Sequence, residues 1–369
     1  KNGKMNQSRI VVIADDITGA AELAGIGYRY GLNTILTTNI KCPIPDCELL
    51  VIATDTRSMD KKEAVQETQS ITQYLKQTTI THLFKKTDSA LRGHIPAELH
   101  TLLGNTDYKE VLLLPQNPTK GRYIQKGIYY INDIPLHKTA FAYDPEFPMQ
   151  TSHVNEIIQS FSVKDANNYE QVKKYVSQTS KHTLLAGAAD LFTAYLEHLG
   201  YTPKDIPSFK GLSASKILII CGSTQSVSLT ESAYVSNHQV HSSTLPPETF
   251  YNGNIDIRWI QEIKKEYSQN DGFILTTNGY LPQKGKEFAI QLRQTMAKII
   301  KELVTDQLPY EFIIEGGATA FAILKELGWS NFELSDEIVP GVIRMKCNSF
   351  THTHIILKPG SYSWGNLFE

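Results

Sequence analysis

Two adjacent carboxylates, Asp15 and Asp16, stand where the apolar run "RIVVIA" (9–14) gives way to the small, helical stretch "ITGAAELAG" (17–25). An aspartate at such a place caps a helix, or it serves a ligand. Ligands of open parallel sheets bind beyond the carboxyl ends of the strands, so the residues after each apolar run are informative. After "THLFKK" (81–86) comes "TDSALRG", with Asp88, Ser89, Arg92 and Gly93. After "EVLLLP" (110–115) comes the rest of "PQNPTKGR", with Lys120 and Arg122. Three loops on one sheet edge thus gather Asp15, Asp16, Asp88, Arg92, Lys120 and Arg122. Arginine grips a carboxylate or phosphate through two parallel hydrogen bonds, and aspartates accept from hydroxyls. The set suits a small hydroxylated acid. Each residue alone has an ordinary explanation, a cap or a solvated loop charge. Their coincidence across three loops favours a ligand.

The second half of the chain ends its apolar runs differently. "CGST" (221–224), "EGGAT" (315–319) and "KPGSYSWG" (358–365) are turns of Gly, Ser and Thr, the first two leading into helices. Backbone N–H groups at a helix N-terminus favour phosphate, and glycine lets the backbone approach it closely. No P-loop pattern is present. "GIGYRYG" (25–31) resembles a dinucleotide fingerprint, but its last spacing is wrong and it falls inside a helix, where packing better explains Gly25 and Gly27. His352 and His354 of "HTH" fall on one face of a strand like a metal pair, yet no third ligand is near in sequence, so a half-exposed strand pair is the better reading. Metal ligands are therefore not assigned.

These residues need elements to hold them. "RIVVIA", "ELLVIAT" (48–54), "THLFKK" and "EVLLLP" are continuous apolar runs, the pattern of strands covered on both faces of a parallel sheet. Helical spacing marks 17–31 and 60–77, the latter with Asp60 as N-cap, and Pro96 suits the first turn of the helix begun by "HIPAELHTLL". The stretch 115–148 is dense in Pro, Gly, Asn and Tyr and reads as loop and short hairpin. A helix-like stretch, 150–180, follows, then a strand feeding a helix over 182–200. The polar segment 201–215 reads as a linker, and a second strand–helix series begins with "KILIICGS" (216–223), continuing through "GFILTT" (272–277), "EFIIEGG" (311–317) and "HIILKPGSYSWG" (354–365). At about 150 residues per domain, 369 residues imply two domains, 1–205 and 206–369. The fold class expected is α/β: two domains, each with a mainly parallel sheet flanked by helices, and an active-site cleft between them.

A net charge of -2 gives no reason to expect nucleic acid or an acidic membrane surface. No apolar stretch reaches the ~18 residues of a membrane span, and "KNGKMNQSR" reads as a frayed tail and no signal peptide. Four cysteines are too few for a disulfide framework, so a reducing cytoplasm is the expected location.

"IADDITGAAELAG", "KKTDSALRGHIPAEL" and "PQNPTKGRYIQKGIYYINDIPLHKTAFAYDPEFP" resemble the N-terminal domain of the four-carbon acid sugar kinases. "ICGST", "EGGAT", "EIVPGV" and "LKPGSYSWG" resemble their C-terminal nucleotide-binding domain, in the same order along the chain. The resemblance implies phosphorylation of 3-oxo-tetronate, D-threonate or D-erythronate at the terminal hydroxyl, with ATP and Mg²⁺. It implies a sugar-acid site formed by Asp88, Ser89, Arg92, Gly93, Lys120 and Arg122. Asp16, with Asp15 beside it, would take the proton from or orient the attacking hydroxyl, and Arg92 would hold the substrate carboxylate. ATP would lie against Gly222, Ser223, Thr224, Gly316, Gly317, Thr319, Gly341, Lys358, Gly360 and Ser361. The partners implied are the sugar acid and ATP, without nucleic acid or membrane, and compatible with a homo-oligomer. The chain departs from the family pattern at Ala21 and Glu22, where Asn and Asp are frequent, at Ala90, and in the "GGAT" and "KPGSYSWG" turns. Two other readings are a sensor that binds the same ligands without turnover and a nicotinamide-dependent oxidoreductase. The missing dinucleotide fingerprint argues against the second.

Overall fold

In the computed structural model, the residues described are 9–144, 146–212, 216–222, 240–277, 279–283, 285–350, 352–360 and 367. Contacts divide the chain into two compact units, Lys1–Asp205 and Ile206–Glu369. Each is an α/β unit. Among the described residues no helix is long and apolar enough to cross a membrane.

The first unit is built on β1 (Ile10–Ala14), α1 (Ile17–Arg29), β2 (Thr34–Thr37), β3 (Leu49–Ala53), α2 (Lys61–Lys76), β4 (His82–Lys86), α3 (Ile95–Asn105) and β5 (Glu110–Leu114). A small antiparallel sheet follows, of β6 (Arg122–Gln125), β7 (Ile128–Ile131) and β8 (Ile134–Pro135). The short α4 (Val154–Ile157), α5 (Tyr169–Ser177), β9 (Thr183–Gly187) and α6 (Ala189–His198) complete it. The main strands run parallel in the order β2-β3-β1-β4-β9-β5. β1 and β3 are buried along their whole length, which is why their sequences read as unbroken apolar runs. Val11, Ile13, Leu50, Ile52, Leu99 and Leu113 lie in one core on this sheet. Burying each such side chain fully contributes about 1.5–3 kcal/mol.

The helices obey local rules. Asp60 caps α2 in a capping box with Glu63, and Pro96 sits in the first turn of α3. α1 lies close on the sheet: a Cβ on Gly27 would come 2.1 Å from Leu49 Cδ2, so packing accounts for this glycine. The expected helix over 150–180 is broken. Only Val154–Ile157 and Tyr169–Ser177 are helical, because Val163 bridges Leu113 on the outer edge of β5 and Ala166 bridges Ile124 of β6. An unpaired edge offers backbone groups that an extended segment satisfies, and Asn168 then caps α5.

The second unit contains β10 (Ile217–Cys221), β11 (Val240–Thr244), β12 (Gly272–Thr276), β13 (Glu311–Glu315), β14 (Asn331–Val339), β15 (Val342–Cys347) and β16 (His354–Lys358). Their order is β11-β12-β10-β13-β16-β15-β14. The first five are parallel and the last two antiparallel. Sequence patterning did not reveal β11 or the β14–β15 hairpin. β11 alternates half-buried and exposed positions, unlike the continuous runs of the inner strands. His352 lies in an exposed bend before β16, and only His354 belongs to the strand. The two histidines therefore do not form a strand pair.

Both sheets have a topological switch point. In the first unit the chain passes from β1 to β2, returns to β3 between them, then crosses to β4 on the other side of β1. In the second it does the same about β10, with β12 on one side and β13 on the other. Loops diverge there and leave a crevice for a ligand.

Candidate functional site

Asp16 ends the β1 turn as the N-cap of α1, its Oδ1 accepting the Gly19 N–H at 2.8 Å. Its Oδ2 pairs with Arg57. Both oxygens are engaged by the protein itself. A Cβ on Gly19 would lie 2.9 Å from Asp16 Oδ1 and 3.1 Å from Lys86 Nζ. A side chain at this position would crowd the cap and the buried lysine beside it.

Arg57 reaches onward. Its Nη1 donates to Asp88 Oδ1 at 2.9 Å. Asp88 is also gripped by Arg92, through Nε to Oδ2 at 2.9 Å and Nη2 to Oδ1 at 3.0 Å, and by the N–H groups of Ala90 and Arg92. Burial alone would raise the Asp88 pKa, but Arg57 and Arg92 outweigh it and hold the carboxyl well below the usual range. Arg92 Nη1 donates to Asp144 Oδ2 at 3.0 Å. Three of its five N–H groups are used in these bonds, so two can still meet a ligand. The turn is tight. Leu91 has φ +66° and Gly93 φ +93°, and a Cβ on Gly93 would approach Asp15 Oδ2 at 3.3 Å and Arg57 Cγ at 3.6 Å.

Asp15 is unlike its neighbour. It is 1% exposed, and neither carboxylate oxygen has a hydrogen-bond partner among the described residues. Burial pushes its pKa up to about 7; Arg57 and Lys85 oppose the rise, Asp16 and Glu98 assist it. An ionisable group buried without partners costs stability, and such groups concentrate where proteins do chemistry.

The loop after β5 arrives from further off. Thr119 is tied to Asp190 at the start of α6 through its N–H (2.9 Å) and hydroxyl (2.6 Å). Lys120 then pairs with Glu22 on α1, and Arg122 donates to the Ser89 hydroxyl. Tyr129 of β7 donates to the Ser89 carbonyl. Arg92 and Arg122 both lie beside the Phe141 ring, at 5.0 and 5.7 Å from its centroid. Lys86, buried, donates to the Thr87 carbonyl at 2.8 Å and lies 3.9 Å from Glu22.

The residues singled out in the first unit thus come together in one connected cluster. Sequence reasoning did not place Arg57, Lys86, Glu22 or Asp144 in the site, Glu22 being noted only as a departure from the family pattern. Arg57 had a usable signal, because it follows the strand Leu49–Ala53 as Asp15 follows β1. Lys86 is the last residue of an apolar strand and reads as an edge charge. Asp144 lies 52 residues from its partner Arg92, a separation that no local pattern reveals.

In the second unit, Gly222 follows β10 and donates to the Glu315 carbonyl at 3.2 Å. A Cβ there would lie 2.6 Å from Thr319 Oγ1 and 2.9 Å from Thr319 Cβ. Gly316, at φ +99°, donates to the Lys358 carbonyl at 2.9 Å and precedes the helix Gly317–Leu327, which has no side-chain cap. Lys358 Nζ pairs with Glu315 Oε1 at 2.7 Å, both side chains 1% exposed. Gly222, Gly316, Gly317, Thr319 and Lys358 therefore share one strand edge. Gly360 is the last described residue of its turn, while Gly341, at φ +88°, forms the β14–β15 turn with Pro340. Ser223, Thr224 and Ser361 lie outside the described residues. No group of three or more His, Cys, Asp or Glu that could hold a metal ion occurs among the described residues.

Comparison with known proteins follows the same division. A family model described as a sugar-binding N-terminal domain matches residues 10–194, and one described as a nucleotide-binding C-terminal domain matches 218–362. A 3-oxo-tetronate kinase of Haemophilus influenzae is 21% identical over 97% of this chain and 98% of its own length. A D-threonate kinase of Salmonella typhimurium is 28% identical over 41% of this chain and 36% of its own length. Among solved structures, a Haemophilus influenzae protein superposes with a TM-score of 0.72 at 19% identity, covering 97% of this chain and 98% of its own. A Salmonella typhimurium protein does so with a TM-score of 0.78 at 18% identity, covering 98% and 97%. At these identities the structural likeness is one of fold.

Proposed function

This chain belongs to the four-carbon acid sugar kinase family, and from that premise we propose that it transfers the terminal phosphoryl group of ATP to the terminal hydroxyl of a four-carbon sugar acid. The sugar acid belongs to the first unit, residues 1–205, and ATP to the second, 206–369. The hydroxyl oxygen forms a bond to the γ-phosphorus, the bond from that phosphorus to the ADP oxygen breaks, and the hydroxyl proton passes to a carboxylate. The products are a phosphate ester and ADP.

The observation that carries the reading is Asp15, a buried carboxyl whose oxygens have no hydrogen-bond partner among the described residues, close to Arg57 and to the turn bearing Asp88 and Arg92. A general base works best when its pKa lies near the working pH, and burial places Asp15 there, at about 7. Asp16, already held by Gly19 and Arg57, orients the site and keeps Arg57 in place. The carboxylate of the acid is received by Arg92 and Arg122 beside Phe141, its hydroxyls by Asp88 and Ser89, and Lys120 adds positive charge. Gly93 permits the close turn. Asp15 Oδ2 lies beside Gly93 and the stem of Arg57.

The second unit suits phosphate. Gly222 lets the backbone pass close against Thr319, the N–H groups from Gly317 onward have no side-chain cap among the described residues, and Lys358 brings an ammonium to the same strand edge. Ser223, Thr224, Gly341, Gly360 and Ser361 belong to the same assignment. Mg²⁺, when bound, neutralises phosphate charge. It keeps several waters and needs few protein ligands. Phosphoryl transfer passes through a loose transition state, so the work of these residues is alignment and charge neutralisation.

A coupled ADP-release assay over D-threonate, D-erythronate, 3-oxo-tetronate and related hydroxy acids tests the proposal. ADP release that depends on one of these acids is expected. No ADP release with any of these acids would leave a binding protein without kinase activity.

A further inference from the structure

The reaction just described leaves a buried ion pair unused. Lys85 of β4 and Glu98 of α3 are joined at 3.0 Å, with side chains 0% and 2% exposed. Taking two charges out of water costs more than their attraction commonly returns, and well-packed apolar residues in their place are often as stable. Stability is a weak reason for such a pair. Its surroundings suggest another.

Glu98 Oε1 also accepts from the Thr56 hydroxyl at 2.7 Å. The Thr56 N–H donates to Thr54 Oγ1 at 3.2 Å, and Thr54 donates through its own hydroxyl to the Ala14 carbonyl at 2.9 Å. The next residue, Arg57, donates its N–H to the Asp15 carbonyl at 3.2 Å. The buried pair is thus tied to the two carbonyls on either side of the Asp15 nitrogen and α-carbon. In the parallel register Ile13 stands beside Lys85, and alternation returns Asp15, two residues on, to that face. Asp88 and Arg92, on the turn that brings Gly93 beside Asp15 Oδ2, are paired with each other, and the charged groups that act most on Asp15 are Asp16 from its own turn, Arg57 from the loop after β3, Lys85 from β4 and Glu98 from α3. Two are positive and two negative.

We propose that Lys85 and Glu98 are positioning residues for Asp15, fixing the turn that carries it and balancing the charge on its buried face so that its carboxylate can accept the substrate proton. The role rests on the reading of Asp15 as the proton acceptor. It has a consequence that a merely structural pair lacks. Removing the charge of Glu98 leaves the Lys85 ammonium uncompensated and favours ionised Asp15. Removing Lys85 leaves a second anion and disfavours it. The two single variants move Asp15 in opposite directions.

The test compares Glu98→Gln, Lys85→Met and the double variant. The acid limb of the kcat–pH profile is measured, and the Asp15 carboxyl is titrated directly by carbon NMR. Glu98→Gln is expected to shift both midpoints down by about one pH unit, and Lys85→Met to shift both up. The double variant leaves no buried charge unpaired, so it folds even where a single one does not. Its midpoint returns toward that of the parent, while kcat falls about tenfold at unchanged KM because the turn is less well placed. Midpoints unmoved in both single variants, shifts of the same sign, or a double variant with the parent's kcat would overturn the proposal. Asp15→Asn separates the two ideas. If that variant turns over like the parent, Asp15 is not the acceptor, and the NMR midpoints alone decide whether the pair tunes it.

Discussion

Asp16 gives one oxygen to the Gly19 N–H and the other to Arg57, whereas Asp15 gives neither to anything described. Substitution should therefore separate them. Asparagine caps helices about as well as aspartate, so Asp16→Asn should keep the fold within about 0.5 kcal/mol. It should chiefly raise KM for the acid, because Arg57 loses its anchor. Asp15→Asn should lower kcat by about 10² or more at little change in KM. A drop in kcat confined to Asp16→Asn would return the base to that residue. The same pair predicts a pH effect on stability. The folded protein holds the Asp15 proton up to about pH 7, against an ordinary value of 3.8. Between those limits the folded state binds more protons than the unfolded one, so stability falls as pH rises through the window. Asp15→Asn removes that fall. Urea titrations should find the variant gaining on the parent by about 1 kcal/mol or more between pH 5 and pH 8, and equal differences at both pH values would refute it.

Elements explain why these residues meet. β1, β3 and β4 are neighbours in the sheet, so the residues that follow them, Asp15, Arg57 and Asp88, emerge side by side. The sequence rule of reading strand ends finds this cluster wherever it is applied, and it missed Arg57 only because the end of β3 was not read. Arg122 and Lys120 needed more, since β9 lies between β4 and β5 and the long loop's ties to Asp190, Ser89 and Glu22 bring them in. In the second unit, Gly222 and Thr319 touch across neighbouring strand ends. Gly222→Ala should cost about 1–3 kcal/mol by overpacking and weaken ATP binding, with partial recovery in Gly222→Ala/Thr319→Gly, read by thermal melts and nucleotide titration. An element far from the chemistry supplies the contrast. Asp60→Ala breaks the capping box of α2 and should lower stability by about 1 kcal/mol with kcat and KM unchanged.

At the scale of the molecule, the two units have separate duties under the proposed function, so their variants should act on different constants. Gly317→Val places a branched side chain where the proposal puts a phosphate. ATP affinity, measured by calorimetry, should fall at least tenfold while the affinity for the acid stays within twofold. Unchanged ATP binding would remove the nucleotide assignment from this turn. Arg92→Ala should do the reverse, raising KM for the acid and leaving ATP affinity intact. No disulfide contributes to either unit: all four cysteines are free, and three are buried.

Period and punctuation in the chain carried the α/β class, the inner strands, the caps at Asp16 and Asp60, and the strand-end residues of the first unit. Each is a local property, set by apolar runs, by glycine and proline, or by a side chain bonding its own backbone three residues on. The family resemblance was legible for the same reason, since its motifs are short and continuous. The division of labour between Asp15 and Asp16 was not local. It depends on Arg57, 41 residues from Asp16, taking one carboxylate and leaving the other dry. The break of the helix over 150–180 depends on the unpaired edge of β5, and the pair Lys85–Glu98 on a helix packing over a strand. Burial and partnership are sums over the whole fold, so identical side chains side by side in the chain can end with different partners.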